Sequence, residues 1–160
     1  MEPQAFQDAI AGNLCWGCGP TNAHGLQIKS YWDGAEAVCF FQPQSYHMAG
    51  PPHILNGGII ATLIDCHCVC MAIAAAYRAE GRPMDTAPPI FFVTGSLHVT
   101  YLRPTPILEP VMLRAQIKAM KERKIIMTCS LFSKNEECAQ GEVVAVRVPA
   151  TWRATPANST

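Results

Sequence analysis

An α+β fold, one long helix wrapped by a curved, mostly antiparallel sheet of about six strands, is predicted by three features of this 160-residue sequence. A single long apolar segment, GGIIATLIDCHCVCMAIAAAYRAE, stands in the middle of the chain. Strand-like runs flank it, two before and four after, so helix and strands segregate instead of alternating. The runs after it carry side chains with a period of two, the mark of strands with one face covered.

The first 25 residues are rich in Gly, Asn and Pro and read as an irregular lead-in. The main domain is expected over 26–149, and a small, polar, flexible tail over 150–160. LQIKSYW (26–32) and EAVCFFQ (36–42) form a strand pair around Asp33-Gly34, a dipeptide that accepts the positive φ of a tight turn. The Pro-rich stretch 42–55 excludes regular structure. Asn56 is placed to cap the long helix, because its side-chain oxygen can accept from an orphan N–H of the first turn. Gly81, followed by Pro83, ends it. The helix is apolar nearly all round, the pattern of a helix covered on several sides.

In FFVTGSLHVTYLRP strict alternation puts Val93, Gly95, Leu97, Val99 and Tyr101 on one face. Thr94, Ser96, His98 and Thr100 fall on the other. VMLRAQIKAM (111–120), KIIMTCSLFS (124–133) and CAQGEVVAVRVP (138–149) supply the remaining strands, with KER as a hairpin turn.

Composition narrows the function classes. Net charge is zero, so a nucleic-acid or anionic-membrane partner is not expected. Hydrophobic residues make up 49% and charged residues 15%, which points to surface covered by a partner copy. The chain opens without a basic start or an apolar stretch, so a cytoplasmic location is expected. The helix reaches the minimum spanning length, but Asp65 and His67 would lie deep in a bilayer, where an acid costs about 2.5–3.5 kcal/mol. Burial within the protein explains it better.

The eight cysteines read as mostly reduced and buried in that compartment. In DCHCVC, Cys66 and Cys70 are four apart and share a helix face, but one helix cannot gather all its thiols and His67 at one tetrahedral site. Cys15-x-x-Cys18 has knuckle spacing without a second matching pair, leaving structural, metal and redox readings open with the structural one favoured.

At Asn56-Gly57-Gly58 the helix begins with bare backbone. The N–H groups and macrodipole there suit an anion or a polarised carbonyl oxygen; the plainer alternative is a tight loop-to-helix turn. Asp65 lies roughly 10 Å further along the helix and cannot serve its own helix end. Two helices facing across a two-fold would bring each acid to the other's N-terminus, as base on water or as nucleophile. The plainer reading pairs Asp65 with a buried donor such as His67 or Thr62.

ILNGGIIATLIDC (54–66) resembles the His-Gly-Gly-x4-Leu-x-Asp signature of hotdog-fold acyl-CoA thioesterases of the PaaI-like kind. YLRPTP (101–106) is similar to their segment after the helix, and CWGCGPTNAHGL (15–26) to the lead-in of one branch. The resemblance implies a hotdog fold, an acyl-CoA substrate and a homodimer or dimer of dimers, with no metal or cofactor. It places Asp65 on the catalytic carboxylate and Gly57 and Gly58 on the carbonyl-polarising backbone. Thr94 falls on an orienting hydroxyl, and Asn56 stands where the pattern has His. Arg103, Lys121 and Arg123 are candidate phosphate contacts, and His67 and Thr62 candidate groove residues. Met48, Tyr77, Phe91 and Phe92 are candidates for shaping the acyl site.

Overall fold

The computed structural model describes residues 2–153. Strands β1 (Ser30–Asp33) and β2 (Glu36–Phe41) precede helix α1 (Gly57–Ala79). Strands β3 (Phe91–Tyr101), β4 (Val111–Met120), β5 (Lys124–Ser133) and β6 (Glu136–Val148) follow it. All six form one antiparallel sheet in the order β1-β2-β4-β5-β6-β3, so β1 and β3 are its edges. This is the expected hotdog arrangement.

The first strand is shorter than its apolar pattern implies, because the N–H groups of buried Leu26 and Ile28 donate to the Trp16 and Gly17 carbonyls of the lead-in and not to a neighbouring strand. Its turn centres one residue later than expected: Asp33 pairs with Glu36, leaving Gly34 and Ala35 as the loop, with Gly34 at φ +65°. Between β5 and β6, Lys134 and Asn135 both take positive φ (50° and 63°) in a two-residue turn.

Asn56 caps α1 as expected, and Gly81 at φ +65° lies just past its end. Its most apolar window is 72% buried by the rest of the chain, which accounts for a helix long and apolar enough to cross a membrane. Leu63, Ile64, Cys68, Met71 and Ala72 pack on Leu113, Ile125, Met127, Leu131, Val143 and Ala145 of the sheet, each at most 0% exposed. Fully burying a Leu, Ile, Val or Met side chain contributes roughly 1.5–3 kcal/mol, so this helix–sheet contact is the main stabilising layer.

The lead-in is irregular but packed, with a 3-10 turn at Phe6–Ala9 and buried Ala5, Phe6 and Gln7. The Phe6 ring lies 5.1 Å from that of Trp32. Of the expected tail, Ala150–Arg153 forms a 3-10 turn and 154–160 lie outside the described residues.

Candidate active site

Asp65 sits on the third turn of α1 with its side chain toward β3. Its Oδ1 accepts a hydrogen bond of 2.6 Å from Thr94 Oγ1. Strict alternation put Thr94 on the face away from Leu97, Val99 and Tyr101, and the structure overturns that assignment. The β3–β6 register slips between Thr94 and Ser96, so Gly95 is an extra residue in a bulge. Thr94 then pairs with Ala145 and Leu97 with Val143, both fully buried, which places Thr94 on the helix side. A Cβ at position 95 would lie 2.6 Å from Val146 Cγ2 and 3.1 Å from the Val144 carbonyl. The glycine is what lets the bulge close.

The Asp65–Thr94 pair opens onto a cavity of about 270 Å³. Val69, Ile73 and Phe92 form its apolar wall, and Ile10, Asn13, Cys15 and Cys18 of the lead-in close it from above. Burial pushes the Asp65 carboxyl above the ordinary aspartate range. The Thr94 hydrogen bond pulls the other way, because it favours the ionised form. A carboxylate in this setting is a stronger base than one in water.

The start of α1 carries a different donor set from the one expected. Asn56 Oδ1 accepts from Gly58 N–H at 2.7 Å and from Ile59 N–H at 3.3 Å. The Gly58 N–H is therefore engaged by the cap. Gly57 N–H and Asn56 Nδ2 have no hydrogen-bond partner among the described residues, and Asn56 is exposed. Tyr101 Oη donates to the Gly57 carbonyl at 2.6 Å, tying the helix entrance to the end of β3. Gly57, Ile60, Tyr101 and Arg103 border a second, open cavity of about 440 Å³.

His67 is in the core, not in a groove, and is fully buried. Its Nε2 donates to the Ala37 carbonyl at 3.1 Å, which leaves Nδ1 to accept from Ser30 Oγ at 2.8 Å. Ser30 Oγ in turn accepts from Gln7 Nε2 at 2.8 Å. Desolvation holds the imidazole down at a pKa of about 4, so it is neutral. Thr62 donates its hydroxyl to the Gly58 carbonyl at 2.9 Å. Its methyl group faces Gly17 of the lead-in.

Arg103 is exposed, 3.4 Å from Glu136, at the Gly57 end of β3. Lys121 and Arg123 are exposed in the β4–β5 hairpin. That hairpin lies at the opposite end, since Lys124 and Val93 both pair with Val146. Val93 to Tyr101 spans roughly 25 Å of strand, so one chain does not gather these cations. Of the residues expected to shape the acyl site, Phe92 lines the Asp65 cavity and Met48 is exposed. Tyr77 is buried, its hydroxyl accepting from Ile90 N–H at 3.0 Å.

The model of the thioesterase superfamily matches residues 53–140, more than half of the chain. The chain belongs to that superfamily. It is 31% identical over 124 residues to the acyl-coenzyme A thioesterase THEM4 of Mus musculus, covering 76% of this chain and 47% of that protein. The chain thus spans about half the length of the curated relatives it matches. A thioesterase superfamily protein from Shewanella loihica PV-4 is 38% identical in sequence, with a TM-score of 0.64 over 80% of this chain and 96% of that one. The PaaI protein of E. coli shares the fold at 14% identity, with a TM-score of 0.63 over 78% and 81%.

The matched residues run from the loop before Asn56 into the start of β6, so they contain the helix end, Asp65, Thr94 and Tyr101. They exclude the lead-in that closes the Asp65 cavity. Sequence reasoning missed Tyr101 as a tie to Gly57, and it missed Ile10, Asn13, Cys15 and Cys18 as cavity wall. The signal for the cysteines was present in the spacing of Cys66 and Cys70.

Proposed function

We propose that the protein is an acyl-CoA thioesterase whose active site is completed by a second copy of the chain. The observation that carries this reading is the Asp65–Thr94 pair, a half-buried carboxylate held by a hydroxyl beside an apolar cavity, in a chain of the thioesterase superfamily. The carboxylate has no oxyanion donor within its own helix reach, and the helix end has no carboxylate.

The two halves lie on one exposed edge strand. Thr94 touches Asp65, and Tyr101 touches Gly57. Antiparallel pairing of β3 with its own copy, centred between Leu97 and His98, would set Thr94 opposite the partner subunit's Tyr101. Such pairing also covers the outer edge of β3, a standing aggregation liability when left open. The same two-fold brings the hairpin cations Lys121 and Arg123 near the partner subunit's Arg103, where a nucleotide's phosphates would need them. A dimer of dimers is compatible with this pairing.

In the reaction, the thioester carbonyl oxygen accepts from Gly57 N–H and Asn56 Nδ2 at the positive end of one helix. Asp65 of the other subunit removes a proton from water, which adds to the carbonyl carbon; the alternative is direct attack by the carboxylate. Collapse of the tetrahedral adduct breaks the C–S bond, releasing the free acid and CoA. Each step uses side chains and backbone alone, so no cofactor is called for.

The test is thiol release from a panel of acyl-CoA substrates, trapped with a chromogenic disulfide. Wild type is expected to turn over at least one class, and Asp65→Asn to lose about a thousandfold or more in kcat while still dimerising. An unchanged rate in Asp65→Asn overturns the assignment. Asn56, whose oxygen is occupied by the cap, also favours a second reading, a non-catalytic acyl-CoA binder. Saturable binding without thiol release in wild type would select it.

A further inference from the structure

We propose that Cys15, Cys18, Cys66 and Cys70 form a tetrahedral site for a single thiophilic divalent ion of the zinc class, clamping the lead-in onto α1. Cys15 and Cys18 come from the turn CWGCG, and Cys66 and Cys70 from successive turns of the helix. The sulfurs of Cys15, Cys18 and Cys66 all lie within 4.8 Å of one another. Cys15 Sγ is 3.8 Å from Cys66 Sγ, and Cys18 Sγ is 3.8 Å from Cys70 Sγ. Two sulfurs bound to one tetrahedral ion at about 2.3 Å are held about 3.8 Å apart, so these two pairs match edges of such a site. Cys70 Sγ meets Cys18 but stands outside the mutually close set of three, and would draw in on binding.

The surroundings suit a thiolate-bound ion. Cys18, Cys66 and Cys70 are buried, while Cys15 is exposed and gives an entry path. Asn13 Nδ2 donates to Cys18 Sγ at 3.6 Å, and Asn13 Oδ1 accepts from Cys15 N–H at 3.1 Å. That is the outer-shell support a thiolate ligand needs. Gly17, between the two loop cysteines, has no room for a side chain: a Cβ there would lie 2.4 Å from Cys66 Sγ. The turn is pressed against the helix thiols. Its strands of backbone are fixed by Leu26 N–H to the Trp16 carbonyl at 3.1 Å and Ile28 N–H to the Gly17 carbonyl at 3.3 Å.

On loading, each thiol gives up one proton to solvent and forms one metal–sulfur bond, with no change in oxidation state. The bound ion would fix the wall of the cavity that faces Asp65. It is outside the hydrolytic steps, and the inference does not depend on which acyl-CoA, if any, is hydrolysed. All-thiolate tetrahedral coordination selects zinc over magnesium or calcium.

The experiment is metal analysis of the full-length chain purified under reducing, chelator-free conditions, followed by replacement with Co2+. One zinc per chain is expected, falling below about a tenth in Cys18→Ser and in Cys66→Ser but not in Cys138→Ala. The Co2+ form of the wild type is expected to show sulfur-to-cobalt charge transfer and the visible bands of a tetrahedral ion, a readout that needs no variant to fold. A reduced, folded wild type with no zinc and no cobalt bands overturns the proposal. So does an intact mass matching two disulfides in the air-purified chain without metal, which would make the cluster a redox pair instead.

Discussion

Acidification should destabilise this fold well above the ordinary carboxylate range, and His67 is the reason. The imidazole is fully buried, neutral, and satisfied at both nitrogens by Ser30 and Ala37. Its pKa is about 4 in the folded chain, against about 6.5 for a histidine in the unfolded one. The folded pKa is depressed, so the unfolded state takes up the proton first as pH falls. Stability is therefore complete above pH 6.5 and is lost between about 6.5 and 4. At 1.36 kcal/mol per unit, the loss is about 3 kcal/mol, a large share of a typical domain's 5–15 kcal/mol. His47, partly buried and also shifted down by desolvation, adds in the same direction. Asp65 acts oppositely: its folded pKa is raised, so its contribution is present at low pH and lost as pH rises through that value. Glu36, Glu80 and Glu137 have lowered pKa values, so their contribution is present above about pH 4.5 and is lost as pH falls from the foot of the His67 window downward. Urea unfolding followed by tryptophan fluorescence at half-unit steps from pH 7.5 to 4.5 measures the slope. His67→Gln, which cannot titrate, should be less stable at pH 7.5 and keep only the shallower slope that His47 leaves over the window. An equal slope in wild type and His67→Gln refutes the assignment.

Other consequences follow from the same contacts. Thr94→Val removes the hydrogen bond that favours ionised Asp65, so the acid limb of the pH–kcat profile should move to higher pH, while Thr94→Ser should restore it. Asn56→Ala should cost about 1 kcal/mol of unfolding free energy by thermal or urea denaturation, because two N–H groups lose their cap. Asn56→Asp should keep the fold and lose thiol release, since aspartate caps equally well but sets an anion where the carbonyl oxygen gains charge. Gly95→Val should lower Tm by several degrees and depress kcat together, because the bulge that aims Thr94 cannot close around a side chain.

Much of the fold was legible because its signals are local. Asn56 before two glycines and Gly81 before Pro83 bounded α1 to within two residues, and alternation found β3 to β6. Asp65 stood out as the one acid in a buried helix, and its position against the glycines suggested a shared site. What failed was whatever depends on tertiary register. The Gly95 bulge reverses a face assignment, and alternation alone could not reveal it because an isolated glycine in a strand signals a bulge without fixing where the extra residue goes. His67, two residues past Asp65 and on a different helix face, could line the groove or simply pack, and only the tertiary fold decides for packing, where it meets Ser30 of β1 and Ala37 of β2. The second pair for Cys15 and Cys18 was in plain sight at Cys66 and Cys70, but only the folded lead-in brings the two together. The cap's claim on Gly58 N–H was the opposite case, since the same side chain that marked the helix start also occupies a donor expected to be free.

Subunit complementation tests the central claim most directly. Asp65→Asn leaves the helix end intact, and Asn56→Asp leaves the carboxylate intact. If each site takes its acid from one chain and its oxyanion donors from the other, a mixed dimer contains one complete site and one doubly defective site. Random reassociation of equal amounts makes half the dimers mixed, so about a quarter of wild-type thiol release should return. Activity that stays at the level of the separate variants, in a mixture shown by mass spectrometry to hold mixed dimers, contradicts the shared site.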